Sequence, residues 1–428
     1  MTASTLALAL ARALALACED SSLSVLCFGT QIVIARLDRP RCNSVDPASA
    51  LADFCAAAES LGDPLRGDQV QPIALGWLGY DALRHDEPQA LSDARPVMDH
   101  APLAWLADIA EGVVVHSETD SYTLLGDSDR AAKIHAKYAH IDALTSEDLT
   151  PWVLKSDTDA STHGAQVREI QAQIAQGEVY LVNLARGVWS EQRASEQEIA
   201  KRVLRSRAPY AALLRAEGVT VGAMSMELGL RFCTQTRTLV TCPIKGTRPR
   251  GQDLDTDLAL ARELSHSPKE RAENTMAVDV HRNDLGRVSE VGSVQVTALC
   301  EAQAHAFVHH LVSTVTATKD PAISLIELLS SVLPLGSVTG APKRAAMRQI
   351  AALESQRRGL YTGVYGVLLA NGSLELAVSI RCMVSDAHGT HYGAGGGIVL
   401  DSDPAQEWAE LSWKEQAIAS AQTPSTRP

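Results

Sequence analysis

Residues 361–385, YTGVYGVLLANGSLELAVSIRCMVS, constrain the fold more than any other stretch. Two apolar, β-branched runs flank Asn371-Gly372, and both of those residues tolerate the positive φ of a tight reversal. The stretch predicts a β-hairpin, so its sheet holds antiparallel neighbours. Residues 23–36 repeat the pattern around Gly29-Thr30, and 112–127 form another strand pair. Residues 72–84 read as a glycine-spaced strand and a turn, 179–189 as a strand, and 218–247 as a strand series. Helical stretches alternate with these blocks: 54–62, 129–148, 163–178, 195–207, most of 257–288, 324–334, 341–355 and 403–422. Strand blocks alternating with helices, without a short repeat, predict an α/β fold. We expect a layered sandwich of two stacked antiparallel sheets with outer helices and a cleft between its halves.

The polar, proline-marked stretch 146–162 marks a boundary between an N-terminal subdomain, 1–150, and a second domain, 160–422. A net charge of −13 argues against nucleic acid or an anionic membrane as the main partner. A local cationic pocket for a small anion stays compatible with it. Eight cysteines with no CxxC pair read as reduced, buried thiols of a cytoplasmic protein. The apolar N-terminus lacks a leading basic residue and Arg12 interrupts it, so we expect an amphipathic first helix, not a leader. No apolar run reaches the ~18 residues of a membrane span.

Three features carry chemistry. Glu270 and Glu273, and Glu407 and Glu410, stand three apart on predicted helices, which puts each pair on one face. Each pair alone reads as a solvated face; facing one another, the two pairs suit a hard cation such as Mg²⁺, some ligands acting through water. The run GAGGGIV, 393–399, exposes backbone amides to which an anion can come close, although no P-loop lysine follows it. His305, His309 and His310 lack a zinc-site spacing. At the centre, PIKGTRPRG (243–251) holds Lys245 among turn residues, as a surface charge, a phosphate ligand or a nucleophile.

Taken together these segments resemble the chorismate-utilising enzymes, and among them the branch of aminodeoxychorismate synthase component I. GEVYLVNLAR, SMEL, PIKGTRPRG, SPKERAENTMAVDVHRNDLGRV, HHLVSTV, PLGSVTGAPKRAAM, RRGLYTGVYG, SIRCMV and YGAGGGIVLDSDPAQEWAEL occur in family order from about 165 to 415, and Lys414 follows. The resemblance implies a two-sheet sandwich with the active site in its cleft. It implies that Glu270, Glu273, Glu407 and Glu410 hold Mg²⁺, which meets the ring carboxylate of chorismate. Arg381, Tyr361 and the amides of Gly395 and Gly396 would grip the enolpyruvyl carboxylate, and Gly246 and Thr247 would line the ring. Glu227 takes the general-acid position and His310 the family's active-site histidine.

Lys245 distinguishes the branches. Anthranilate synthase relatives usually carry alanine there and add ammonia directly at C2. The lysine matches the aminodeoxychorismate type, in which it attacks C2 as the C4 hydroxyl leaves, and ammonia then enters at C4 and expels it. The product, 4-amino-4-deoxychorismate, leads to 4-aminobenzoate and folate. Such a lysine needs a depressed pKa. Leu181 stands where the family has Gln, or Lys in the water-adding members, so it offers no base for water. Ala185, Met226 and Ala317 also depart from the pattern without deleting a catalytic group. Residues 17–26 do not match the tryptophan-binding element of feedback-inhibited anthranilate synthases. No glutaminase motif is present, so ammonia is expected from solution or from a separate glutamine amidotransferase subunit, and no fused lyase is expected. Anthranilate synthase component I and a non-catalytic chorismate-binding paralogue are the alternatives.

Overall fold

The computed structural model describes residues 3–28, 30–62, 71–84, 95–147 and 149–420. Gly29 of the first predicted turn, and the last two residues of the predicted 403–422 helix, lie outside them. The 361–385 hairpin forms: Val364–Leu369 pairs antiparallel with Leu374–Val378. Leu369 N–H donates to the Ser373 carbonyl, so the loop spans three residues and Gly372 closes it at φ 79°.

Among the described residues the chain has nineteen strands and ten α-helices. Every strand pairing is antiparallel. Two arms leave the long strand Ala104–His116. One passes through Gln31–Ser44, Leu23–Phe28, Tyr210–Ala216, Val219–Ser225, Cys382–Asp386 and Gly389–Ile398 to Leu181–Ser190. The other passes through Pro72–Leu78, the 364–378 hairpin, Leu228–Cys233 and Thr238–Thr241 to Val308–Thr318. Val308–Thr318 then takes Ile244–Pro249 and Gln295–Ala304 as further partners. Residues of both arms share one core: Leu26, Leu214, Val221 and Val384 from the first, with Leu75, Trp77, Tyr365 and Val367 from the second. Trp77 and Trp105 stack within it at 4.4 Å.

The sheet crosses the 146–162 stretch, since Leu23–Phe28 pairs with Tyr210–Ala216 and Pro72–Leu78 with Val364–Leu369. The first helix, Ala3–Glu19, packs Leu10, Leu14 and Leu16 into the same core as Ile199 and Val203. None of the eight cysteines is in a disulfide, and no helix among the described residues is long and apolar enough to cross a membrane. Two expectations need correcting, and one strand pair went unread. The helix predicted over 129–148 ends at His140, because Ile141 turns to extended backbone. Strands Gln31–Ser44 and Ala104–His116 run past the predicted segments. Gln295–Ala304 and Val308–Thr318, unread in the sequence, are strands whose ladder shifts register twice, which blurs the period-two signal.

Two helices carry the glutamate pairs. Pro268–Gly286 starts at Ser267, whose hydroxyl accepts from the Glu270 N–H, with Pro268 in the first turn. Pro404–Ala419 starts alike, with Asp403 accepting from Ala405 and Gln406 and Pro404 in the first turn. These caps fix where each helix begins, and so set both pairs within its first two turns.

Candidate active site

A cavity of about 610 Å³ opens where the two helices meet the strands Ile244–Pro249 and Gly389–Ile398. Its wall includes Glu227, Lys245, Gly246, Thr247, Glu270, Glu273, His310, Tyr361, Arg381, Gly395, Gly396, Glu407 and Glu410. The structure thus gathers every sequence-nominated residue around one space.

One face is acidic. Burial pushes the Glu273 carboxyl above its ordinary value; Lys245 opposes that shift, and Glu270 and Glu407 add to it. The two pairs therefore act on one another across the helices. Glu270 holds one guanidinium contact, with Arg248 at 3.1 Å. Glu407 accepts from the Ser402 hydroxyl at 2.8 Å, and Glu410 lies 3.0 Å from Lys414. Gly246 makes room for this face: a Cβ there would come 2.8 Å from a Glu270 oxygen, and its φ is 83°. An all-oxygen, mutually repelling donor set fits a hard dication.

Another part of the wall is cationic. Arg381 borders the cavity with no carboxylate within ion-pair distance among the described residues, and burial lowers its pKa. It sits at φ 52°, a strained setting for an arginine, with Thr362 at 61° nearby in the chain fold. Beside it the glycine run approaches Tyr361 closely: a Cβ on Gly395 would lie 2.8 Å from the Tyr361 hydroxyl. Any larger residue would close the space between the amides and the phenol.

The same cavity holds the proton- and electron-pair-bearing groups. Glu227 is 3% exposed, and burial pushes its carboxyl up to about 7, against the Ser337 hydroxyl bond and the Lys245 charge. It accepts from Ser337 Oγ at 2.5 Å. Lys245 Nζ donates to the Ser337 carbonyl at 2.9 Å. Burial lowers the Lys245 pKa, while Glu273 and Glu227 pull it back up. Thr247 Oγ1 meets His310 Nδ1 at 3.0 Å. Burial and the Arg381 charge take His310 down to about 3, so its ring is neutral, and its buried Nε2 has no hydrogen-bond partner.

Sequence reasoning missed three groups. Ser337 touches both Glu227 and Lys245; it lies in PLGSVTGAPK, where nothing local marks its reach. Lys414 had no assigned role. Its Nζ donates to the Gly395 carbonyl at 2.6 Å, and burial, aided by Arg381, lowers it to about 8. Asn183 lines the cavity, and its side chain meets the Tyr361 phenol. Its neighbour Leu181 packs under the glycine run, within 3.1 Å of where a Cβ on Gly397 would stand. Ala317, one of the departures from the family pattern, faces the core away from the cavity.

Comparisons with known proteins bear on this geometry. The family described as chorismate binding enzyme matches residues 17–420. Aminodeoxychorismate synthase component 1 of Klebsiella aerogenes is 36% identical over 355 residues, covering 81% of this chain and 76% of that one. The Escherichia coli K12 protein of the same name is 32% identical over 401 residues, 91% and 86% of the two chains. Anthranilate synthase component 1 of Streptomyces coelicolor is 34% identical over 406 residues, 88% and 77%. The crystal structure of anthranilate synthase component I from Streptococcus pneumoniae superposes with a TM-score of 0.73 at 24% identity, covering 93% and 90%, which shows a shared fold.

Proposed function

The chain belongs to the chorismate-binding enzymes, and from that premise we propose that it is component I of an aminodeoxychorismate synthase. The observation that carries the proposal is the place of Lys245. It is an amine with a burial-lowered pKa, at the meeting point of the acidic face, the cationic face and the raised carboxyl of Glu227.

Chorismate is a dianion, and the two faces suit its two carboxylates. Arg381, unpaired with acid, would grip the enolpyruvyl carboxylate with Tyr361 and the amides of Gly395 and Gly396. Lys414, bonded to the Gly395 carbonyl, holds that strand in place. Glu270, Glu273, Glu407 and Glu410 would hold Mg²⁺. When bound, the ion neutralises the ring carboxylate and draws charge from the conjugated ring. Gly246 and Thr247 line the ring, with the neutral His310 fixing the threonine hydroxyl.

In the first step the Lys245 Nζ lone pair forms a bond to C2, both ring double bonds shift by one position around the ring, and the C4–O bond breaks. Protonated Glu227 gives its proton to the departing hydroxyl, which leaves as water. In the second step ammonia bonds to C4, both ring double bonds shift back, and the C2–Nζ bond breaks to free the lysine. The enolpyruvyl group is retained. Leu181 offers no polar group to activate water at C2. Ammonia would come from solution or from a separate glutamine amidotransferase subunit; the relatives' naming as component 1 supports such a partner. We read the two sheet arms, sharing one core, as the stacked sheets of a sandwich, and the free thiols as those of a cytoplasmic protein.

The anthranilate reading is favoured by one comparison, the 34% identical Streptomyces coelicolor protein. The two part on Lys245. Incubating the protein with chorismate, Mg²⁺ and ammonium, then adding a lyase, separates them: 4-aminobenzoate is expected. Anthranilate formed without the lyase would replace the proposal, and chorismate bound without turnover would point to a non-catalytic paralogue.

A further inference from the structure

A second cluster lies at the other end of the glycine-run strand. His391 stands four residues before Gly395, about 13 Å away along an extended strand. It faces Asp386, on the partner strand of the same hairpin, and His100, from the segment leading into Ala104–His116. The three offer ligand atoms that all lie within 4.8 Å of one another. None of them borders the active-site cavity.

The cluster is built, not incidental. Asp386 is 5% exposed on its side chain; one oxygen accepts from the His388 N–H at 2.7 Å, and the other meets His100 Nδ1 at 2.9 Å. His391 Nε2 is buried with no hydrogen-bond partner and lies 3.6 Å from the nearer Asp386 oxygen. That gap is too long for a hydrogen bond. It is close to the roughly 3.4 Å that separates two donors on one tetrahedral Zn²⁺, given bonds of about 2.0–2.2 Å. A fourth group is at hand: the His388 ring lies 4.5 Å from that of His100, tilted by 38°.

We propose that His100, Asp386 and His391, with His388 beside them, form a second metal site, for a first-row transition dication such as Zn²⁺. Imidazole nitrogens with one carboxylate select such ions over Mg²⁺, which takes oxygen donors. The ion would tie the 97–103 segment to the hairpin. That segment already holds the Tyr361 turn, since Met98 N–H donates to the Arg357 carbonyl and Asp99 accepts from the Leu360 N–H. The bound ion therefore braces two walls of the cavity from outside and raises the melting temperature as any ligand of the folded state does.

The test uses the full chain, stripped with chelator and returned to buffer containing excess Mg²⁺ so that the carboxylate face is filled. Zn²⁺ is titrated against a chromophoric chelator, and Co²⁺ is added separately to read visible absorption. One tight equivalent of Zn²⁺ and a Co²⁺ band are expected. Affinity should fall by at least about 10-fold in His391→Ala, Asp386→Asn and His100→Ala, and stay unchanged in Glu273→Gln. His100 is 47% exposed on its side chain, so its variant keeps the fold and checks the others. Failure of Zn²⁺ to compete, or wild-type affinity in both His100→Ala and His391→Ala, overturns the proposal, whatever the outcome for chorismate.

Discussion

Arg358 and Arg381 are both enclosed arginines, and they differ in what surrounds them. Arg358 is 1% exposed and every part of its guanidinium is used: two bonds to Glu354 at 2.9 and 2.6 Å, with Val338, Thr362 and Asn183 taking the rest. Arg381 has no carboxylate partner among the described residues and opens on the cavity. The lysines repeat the contrast. Lys343 lies 2.6 Å from Asp284 and also meets the Ser331 and Val332 carbonyls. Lys245 has one carbonyl. A satisfied charge holds the fold together, whereas a charge left short of partners is available to a ligand or a reaction.

The largest effect should come from the lysine short of partners. Lys245→Ala is expected to cut amination by about 10²–10⁴-fold while chorismate still binds, as read by turnover and by ligand-induced change in tryptophan fluorescence. Wild-type turnover would place Lys245 with Lys343, among the structural lysines. Next comes the acidic face. Excess chelator, or Glu273→Gln or Glu410→Gln, should lower activity by about 100-fold or more, several kcal/mol of charge stabilisation, with the fold retained by circular dichroism. Full activity in chelator would refute the metal reading.

The arginines themselves give a crossed pair. Arg358→Leu leaves Glu354 buried with the Ala185 N–H as a partner in place of its counter-charge, and should cost about 3–5 kcal/mol in urea unfolding. Arg381→Gln should leave stability nearly unchanged and weaken chorismate binding about 10- to 100-fold. Reversal of the two outcomes would break the comparison.

A smaller effect tests Glu227. Its folded pKa of about 7 exceeds the ordinary 4.5, so the folded state holds its proton more tightly than the unfolded chain. Wild-type stability then falls as pH rises from about 4.5 to about 7, and the deficit is complete above that. Glu227→Gln should be more stable than wild type at pH 8 by up to about 3 kcal/mol, with no advantage at pH 4. A variant of equal stability at both pH values would mean that the carboxyl is not held at a cost.

The sequence carried the hairpins and helix caps because their signals are local. Asn371-Gly372 and the Asp403-Pro404 start each act within a few residues, whereas the break at Ser267 lies inside the stretch read as mostly helix. It carried the glutamate pairs because helical spacing alone aligns them. It could not carry Ser337, whose two contacts reach Glu227 and Lys245, 110 and 92 residues away. Nor could it tell Arg358 from Arg381, since the difference lies in which carboxylates the tertiary fold brings near. The His100–Asp386–His391 cluster was hidden for the same reason, as its members stand up to 291 residues apart and meet through the sheet.

The central claim is that Lys245 is the amine that bonds to the substrate. A rival amine is present, because Lys414 is lowered to about 8 in the same cavity. Protein incubated with chorismate and Mg²⁺ without ammonia, then digested and weighed by mass spectrometry, decides between them. The account predicts an adduct of chorismate less one water on the peptide containing Lys245, absent from Lys245→Ala and discharged by added ammonium. An adduct on Lys414, or none on a protein that still makes 4-amino-4-deoxychorismate, would contradict it.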